Sequence, residues 1–243
     1  MKPLQHDKVI LFDHDGTVVD SETIALESAW RLTNEVAGEF AGAQHYELED
    51  FVKSFAGKPY REILKKIYPD SLATLNEEDI DRLVAEEEKR AIERLSIEAK
   101  ATEGTPEVLS YLRDDGFEYA LVSNSSFQRL NACLTSAALT DYFPSEQIFS
   151  AHDSLPVARP KPLPDIYLHA VKCLEAEVSD CVAIEDSISG VKAAVAAGIG
   201  RIIGYVGGTH VSEDERKTRA EALQSAGAEQ VIERMHDLIE LLK

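Results

Sequence analysis

The chain has 243 residues, enough to bury a sizeable core as one large domain or two smaller ones. Its 25 Lys and Arg face 44 Asp and Glu, a formal net charge of −19, and such a surface repels polyanions, which argues against nucleic acid and anionic membrane as partners. Cys133, Cys173 and Cys181 are odd in number and lack a C-x-x-C spacing, and the opening seven residues carry no secretion signal. No stretch approaches the ~20 apolar residues of a bilayer span, so the expected location is cytoplasmic.

In chain order, Val9-Ile10-Leu11-Phe12 reads as a buried strand that runs into Asp13-His14-Asp15-Gly16-Thr17. Side chains alternate along a strand, so Asp13 and Asp15 are expected to converge, with His14 packed and pointing away from both. From Asp20-Ser21 onward the spacing turns helical through Ile24, Ala25, Ala29, Trp30, Thr33 and Ala37, with Trp30 packed inside. Further helices are predicted over 46–55, 60–68 and 77–95; the charge run at Glu86 to Arg90 in the last is a solvated face.

After Ala99 strands and helices alternate. A helix over 105–115 carries Pro106 in its first turn and is ended by Gly116. The strand 119–122 runs into Ser123-Asn124-Ser125-Ser126, followed by a helix over 127–139 and a strand over 147–150. A proline-stiffened loop carries Lys161, and a helix is predicted over 164–176. The strand 181–184 ends at Glu185-Asp186-Ser187; a helix over 189–197 and a strand over 201–205 complete the pattern. Gly207-Gly208-Thr209 reads as a plain turn, His6, His45, His152, His169, His210 and His236 as structural or surface residues, and the cysteines as having no paired base.

This alternation predicts the α/β class, a Rossmann-like parallel sheet core interrupted by an α-helical cap. The expected division is 1–19 with 99–243 for the core and 20–98 for the cap. In a parallel sheet the ends at Asp13/Asp15, Ser123/Asn124 and Glu185/Asp186 share one edge. Paired carboxylates suit a hard divalent cation such as Mg²⁺ or a nucleophile beside an acid/base. Phosphoryl transfer needs those groups together with donors and a cation.

Asp13-His14-Asp15-Gly16-Thr17-Val18-Val19-Asp20-Ser21-Glu22 resembles motif I of the haloacid dehalogenase superfamily. Ser123-Asn124 is similar to its motif II, Lys161 in Lys-Pro-Leu-Pro-Asp-Ile-Tyr to motif III, and Glu185-Asp186-Ser187-Ile188-Ser189-Gly190-Val191 to motif IV. The helical insert resembles the C1-type cap of the phosphoglycolate phosphatase and β-phosphoglucomutase branch. The resemblance implies that Asp13 is a nucleophile forming an aspartyl-phosphate and that Asp15 is the acid/base. It implies Mg²⁺ on Asp13, the Asp15 carbonyl and Asp186, with Glu185 direct or through water. Ser123, Asn124 and Lys161 would bind the phosphate.

Dehalogenases of the superfamily lack an acid two residues after the nucleophile, so Asp15 argues against C–halogen chemistry. Lys58 and Arg61, beside Gly57 in the cap, are candidates for reading the substrate. The expected activity is Mg²⁺-dependent hydrolysis of a small phosphorylated metabolite, a sugar phosphate or a phosphoglycolate-like acid. A phosphosugar mutase is the alternative, weakened by Tyr60 and Ala25 where mutases carry arginine and histidine. A silent binding or regulatory module on the same fold is a third reading.

Overall fold

The computed structural model describes residues 8–40, 44–55, 58–68 and 75–242. Ala56, Gly57 and the first seven residues, His6 among them, lie outside the described residues. The chain divides into two compact units, one formed by residues 1–20 and 99–243 and the other by residues 21–98.

The larger unit holds a six-stranded sheet. In chain order its strands are β1 (Val9–Phe12), β4 (Glu118–Ser123), β5 (Ile148–Ser150), β6 (Cys181–Glu185), β7 (Arg201–Tyr205) and β8 (Gln230–Ile232). Short antiparallel strands β2 (Val19–Asp20) and β3 (Lys100–Ala101) pair separately, Val19 opposite Ala101. The spatial order is β5-β4-β1-β6-β7-β8, with every pair in the large sheet parallel. The first strand therefore sits in the middle, and the order reverses around it. Its register sets Phe12 beside Leu121 and Ile184, so Asp13, Ser123 and Glu185 follow at the same edge.

All four residues of β1 are buried, as expected of a strand covered on both faces. Val9, Leu11, Ala120, Val122 and Ala183 pack with Tyr167 and Ala170 of α7 (Asp165–Cys173) and Val191 and Ala194 of α8 (Ile188–Ala197). Each buried Val or Leu side chain among these contributes about 1.5–3 kcal/mol, and each alanine less. The helix α5 (Thr105–Asp114) follows β3, and α6 (Phe127–Ser136) follows β4. The segment past β7 adds α9 (Glu213–Ala226), β8 and α10 (Asp237–Leu242), which the sequence patterning did not resolve.

The smaller unit is helical: α1 (Glu22–Glu35), α2 (Leu48–Phe55), α3 (Tyr60–Ile67) and α4 (Glu77–Glu98). Leu26, Leu32, Phe51, Phe55, Ile63, Leu64 and Leu83 form its core. Trp30 packs against that core, and its indole N–H donates to the Tyr46 carbonyl at 2.7 Å. Among the described residues no helix is long and apolar enough to cross a membrane.

Candidate active site

The chain leaves β1 at Phe12, but Asp13 N–H still donates to Ile184 O at 2.9 Å, carrying the ladder one residue further. Gly16 then takes φ +81°, and the N–H groups of Val18 and Val19 return to His14 O at 3.0 and 3.1 Å. A side chain at Gly16 would meet this conformation badly, with its Cβ 2.5 Å from Asp186 Oδ2. The turn also corrects the expectation for His14. Its ring is buried, as expected, yet it does not point away from Asp15: Nδ1 lies 3.5 Å from Asp15 Oδ1. Strand alternation no longer applies once the backbone bends.

At the sheet edge Lys161 Nζ donates to Asp13 Oδ1 and Glu185 Oε1, both at 2.6 Å, and to Val122 O at 2.7 Å. The Tyr167 hydroxyl donates to the same Glu185 oxygen at 2.5 Å. Asp13, Glu185 and Asp186 each present an oxygen within 4.8 Å of the others, and all three are buried. Burial pushes the Asp13 carboxyl well above the usual carboxylate range; Lys161 opposes this, while Glu185 and Asp186 add to it. Burial raises Glu185 as well, against the pull of Lys161. For Lys161 burial alone would lower the pKa, but the facing charges of Asp13 and Glu185 and their hydrogen bonds outweigh it and raise it.

Lys161 meets two of these three clustered acids, so the acids exceed that ammonium by two negative charges when all are ionised. A hard divalent cation balances that excess, and its preference for oxygen ligands matches the donor set. The residues present therefore fit Mg²⁺.

Asp15 lies outside this triad. Its Oδ2 accepts from Ser125 Oγ at 2.6 Å, and its Oδ1 faces Arg129 Nη2 at 3.3 Å. Burial would raise its pKa, but Arg129, His14 and the Ser125 hydrogen bond outweigh it and hold the carboxyl well below its ordinary value. Ser123 is buried, and its Oγ accepts from Ser125 N–H at 3.1 Å. Asn124 Oδ1 accepts from the Lys161 backbone N–H at 2.7 Å, tying the proline-rich loop to the end of β4. Asp13, Asp15, Ser123, Asn124, Lys161, Glu185 and Asp186 therefore gather at one edge of one unit.

The candidates of the helical unit are placed differently. Lys58 is exposed, and Arg61 is bound to Glu77 at 2.9 Å and to Asp81. Tyr60, where a mutase would carry arginine, is buried with its hydroxyl 3.1 Å from Thr33 Oγ1.

Four further residues touch the site and were not singled out in the sequence: Ser125, Arg129, Tyr167 and His210. Their signal is weak because each acts through a contact between distant segments. His210, expected only as a structural or surface residue, stands with Nε2 3.1 Å from Asp186 Oδ2. The preceding turn is correspondingly tight: a Cβ at Gly208 would lie 2.7 Å from Gly16 O. Thr209 N–H donates to Asp20 Oδ1 at 3.0 Å. Of the cysteines, Cys133 and Cys181 are buried, whereas Cys173 is exposed with His169 Nε2 3.6 Å from its sulfur, a neighbouring base that the sequence reading did not give it.

A parallel sheet that gathers buried acids around one lysine at its carboxyl edge has the form of an α/β enzyme site. The model of the haloacid dehalogenase-like hydrolases matches residues 8–198, and the chain belongs to that family. It is 30% identical over 192 residues to a phosphoglycolate phosphatase of Nitrosospira multiformis, covering 79% of this chain and 80% of that one. It is 28% identical over 236 residues to a phosphorylated carbohydrates phosphatase of Thermotoga maritima, covering 97% and 98%. Among solved structures, a conserved haloacid dehalogenase-like protein of Agrobacterium tumefaciens superposes with a TM-score of 0.78 at 34% identity, over 97% of each chain.

Proposed function

We propose that the protein is a Mg²⁺-dependent phosphatase acting on small phosphate monoesters through an aspartyl-phosphate. The observation that carries this reading is the buried bridge of Lys161 between Asp13 and Glu185, with Asp186 beside it. Lys161 fixes one oxygen of Asp13 and leaves the other for attack on phosphorus. In the first step that oxygen forms a bond to phosphorus as the ester P–O bond breaks, and the proton that the monoanionic ester carries in passes through the ionised Asp15 to the departing alcohol. In the second step Asp15 takes a proton from water, whose oxygen attacks the acyl phosphate. The bond from phosphorus to Asp13 breaks, and inorganic phosphate leaves. Ser123 supplies a donor to the phosphoryl oxygens, Lys161 supplies positive charge beside them while its donors hold Asp13, Glu185 and Val122 O, and Asn124 holds the Lys161 loop in place. Asp13, Asp186 and the Asp15 carbonyl would hold Mg²⁺, with Glu185 direct or through water; bound there, it supplies charge that offsets the repulsion between carboxylate and phosphate.

The test is release of inorganic phosphate from a panel of small phosphate esters with Mg²⁺, run beside Asp13→Asn. Turnover is expected from the natural chain and none from the variant, whose circular dichroism should be unchanged. Silence of the natural chain on every ester, or activity surviving in Asp13→Asn, overturns the proposal. Against the mutase alternative, the position where a mutase carries arginine is Tyr60, which turns into the helical core.

A further inference from the structure

Asp186 has a different neighbour from the two acids beside it. Lys161 holds Asp13 and Glu185, each at 2.6 Å, whereas Asp186 Oδ2 is met by His210 Nε2 at 3.1 Å. The imidazole comes from the loop between β7 and α9, and its side chain is 12% exposed. The ring fills a slot between two glycines from distant segments. A Cβ at Gly16 would lie 2.7 Å from His210 Cε1, and one at Gly208 would lie 2.7 Å from Cε1 and 2.8 Å from Nδ1. The backbone around the ring is fastened as well. Val211 N–H donates to Gly208 O at 3.0 Å, closing a turn over Thr209 and His210, and Thr209 N–H donates to Asp20 Oδ1 at 3.0 Å. Ser212 and Glu215 then form a capping box that starts α9. Slot, turn and cap together hold the imidazole against Asp186.

A carboxylate oxygen accepts, so Nε2 is the nitrogen that carries a proton in this contact. A carboxylate held at one oxygen by a donor keeps its other oxygen for a cation. Lys161 engages one oxygen of Asp13 and one of Glu185, and His210 does the same for Asp186. Such restraint bears on the choice of cation. Mg²⁺ demands near-octahedral geometry and is satisfied by single carboxylate oxygens. Ca²⁺ gathers about six to eight oxygens and takes a carboxylate through both of its own.

We infer that His210 is a positioning residue that holds Asp186 to ligation through one oxygen and so sets the preference of the acid cluster for Mg²⁺ over Ca²⁺. This rests on the phosphatase reading above for the placement of the cation at Asp13 and Asp186. Without the imidazole, the Asp186 carboxylate is free to turn about its Cβ–Cγ bond and to offer both oxygens to the larger ion.

The experiment titrates Mg²⁺ alone and Ca²⁺ alone into the full chain, freed of metal by a chelator and dialysed, and reads affinity by calorimetry. Removing the hydrogen-bond partner of a metal ligand costs roughly 10- to 100-fold in metal affinity, and His210→Ala should weaken Mg²⁺ binding by that factor. Ca²⁺ should bind as before or more tightly, so the preference for Mg²⁺ falls by at least about 10-fold. His210→Gln sets an amide nitrogen where Nε2 stood and should restore part of the preference. His210→Asn reaches only as far as Nδ1 and should behave like His210→Ala. Urea midpoints without metal check the fold of each variant; if His210→Ala fails that check, the comparison of Gln with Asn decides. Mg²⁺ affinity untouched in His210→Ala, an equal loss for Mg²⁺ and Ca²⁺, or Asn matching Gln overturns the role of His210. A natural chain that binds no Mg²⁺ overturns it too. Mg²⁺ bound with the expected preference, but no phosphate released from any ester, overturns the phosphatase reading and leaves the role of His210 standing.

Discussion

Gly190 lies within the first turn of α8, where helix propensity alone predicts that alanine stabilises by about 1 kcal/mol. The structure predicts the opposite sign. A Cβ built there would lie 1.7 Å from Glu185 Oε2 and 2.0 Å from its Cδ, far inside van der Waals contact. Glu185 is fully buried, and its other oxygen is held by Lys161 at 2.6 Å and Tyr167 at 2.5 Å. The carboxylate must retreat by more than an ångström, which breaks or stretches both bonds. Overpacking costs about 1–3 kcal/mol, and each hydrogen bond to a charged group is worth about 1.5–3 kcal/mol. Set against the propensity gain, Gly190→Ala should destabilise by roughly 3 kcal/mol. Urea unfolding followed by far-UV circular dichroism measures it, with phosphate release falling in parallel. A variant as stable as the natural chain, or more so, would refute the packing around Glu185.

Replacing Lys161 with Met leaves buried carboxylates without their ammonium and should cost about 3–5 kcal/mol at neutral pH. Asp13 and Glu185 already have raised pKa values, so in the variant the penalty grows as pH rises above the ordinary carboxylate range. The stability gap should narrow between pH 7 and pH 5, and a gap that widens on acidification contradicts the bridge. Gly16→Ala forces a side chain at φ +81° onto Asp186 and should abolish phosphate release; a variant keeping more than a tenth of the activity argues against the close approach. The Cys181 thiol is pushed up to about 11 by burial, with Asp180 adding. Cys181 therefore contributes a loss of stability of about 2 kcal/mol as pH climbs from 9 through 11. Buried tyrosines with raised pKa values add to the loss in the same range, so Cys181→Ala should reduce it by about that amount and not abolish it, as read from unfolding curves at stepped pH.

The central strands were legible because Val9 to Phe12 and Cys181 to Ile184 are unbroken apolar runs, and the acids stood out because each follows such a run directly. That Asp13, Lys161 and Glu185 meet followed from parallel strands having one carboxyl edge. Tyr167 escaped notice because an aromatic residue in a helix reads as packing; its hydroxyl matters only once α7 is laid against β6. His210 is 24 residues past Asp186, and nothing in its neighbourhood marks it as facing that acid. His14 was misread for a local reason: the strand period was extended past the residue where the backbone turns. Helix ends moved by a few residues where prolines or polar caps compete, as at Pro164 before α7.

The match to the family ends at residue 198, while His210, Gly208 and strands β7 and β8 all lie beyond it. A protein cut at that boundary would retain every recognisable signature and yet expose the flank of β6, normally hidden by its neighbour. An uncovered strand flank invites pairing between molecules. Insoluble product from such a shortened gene would report a sheet short of two of its six strands, with no defect in any signature residue.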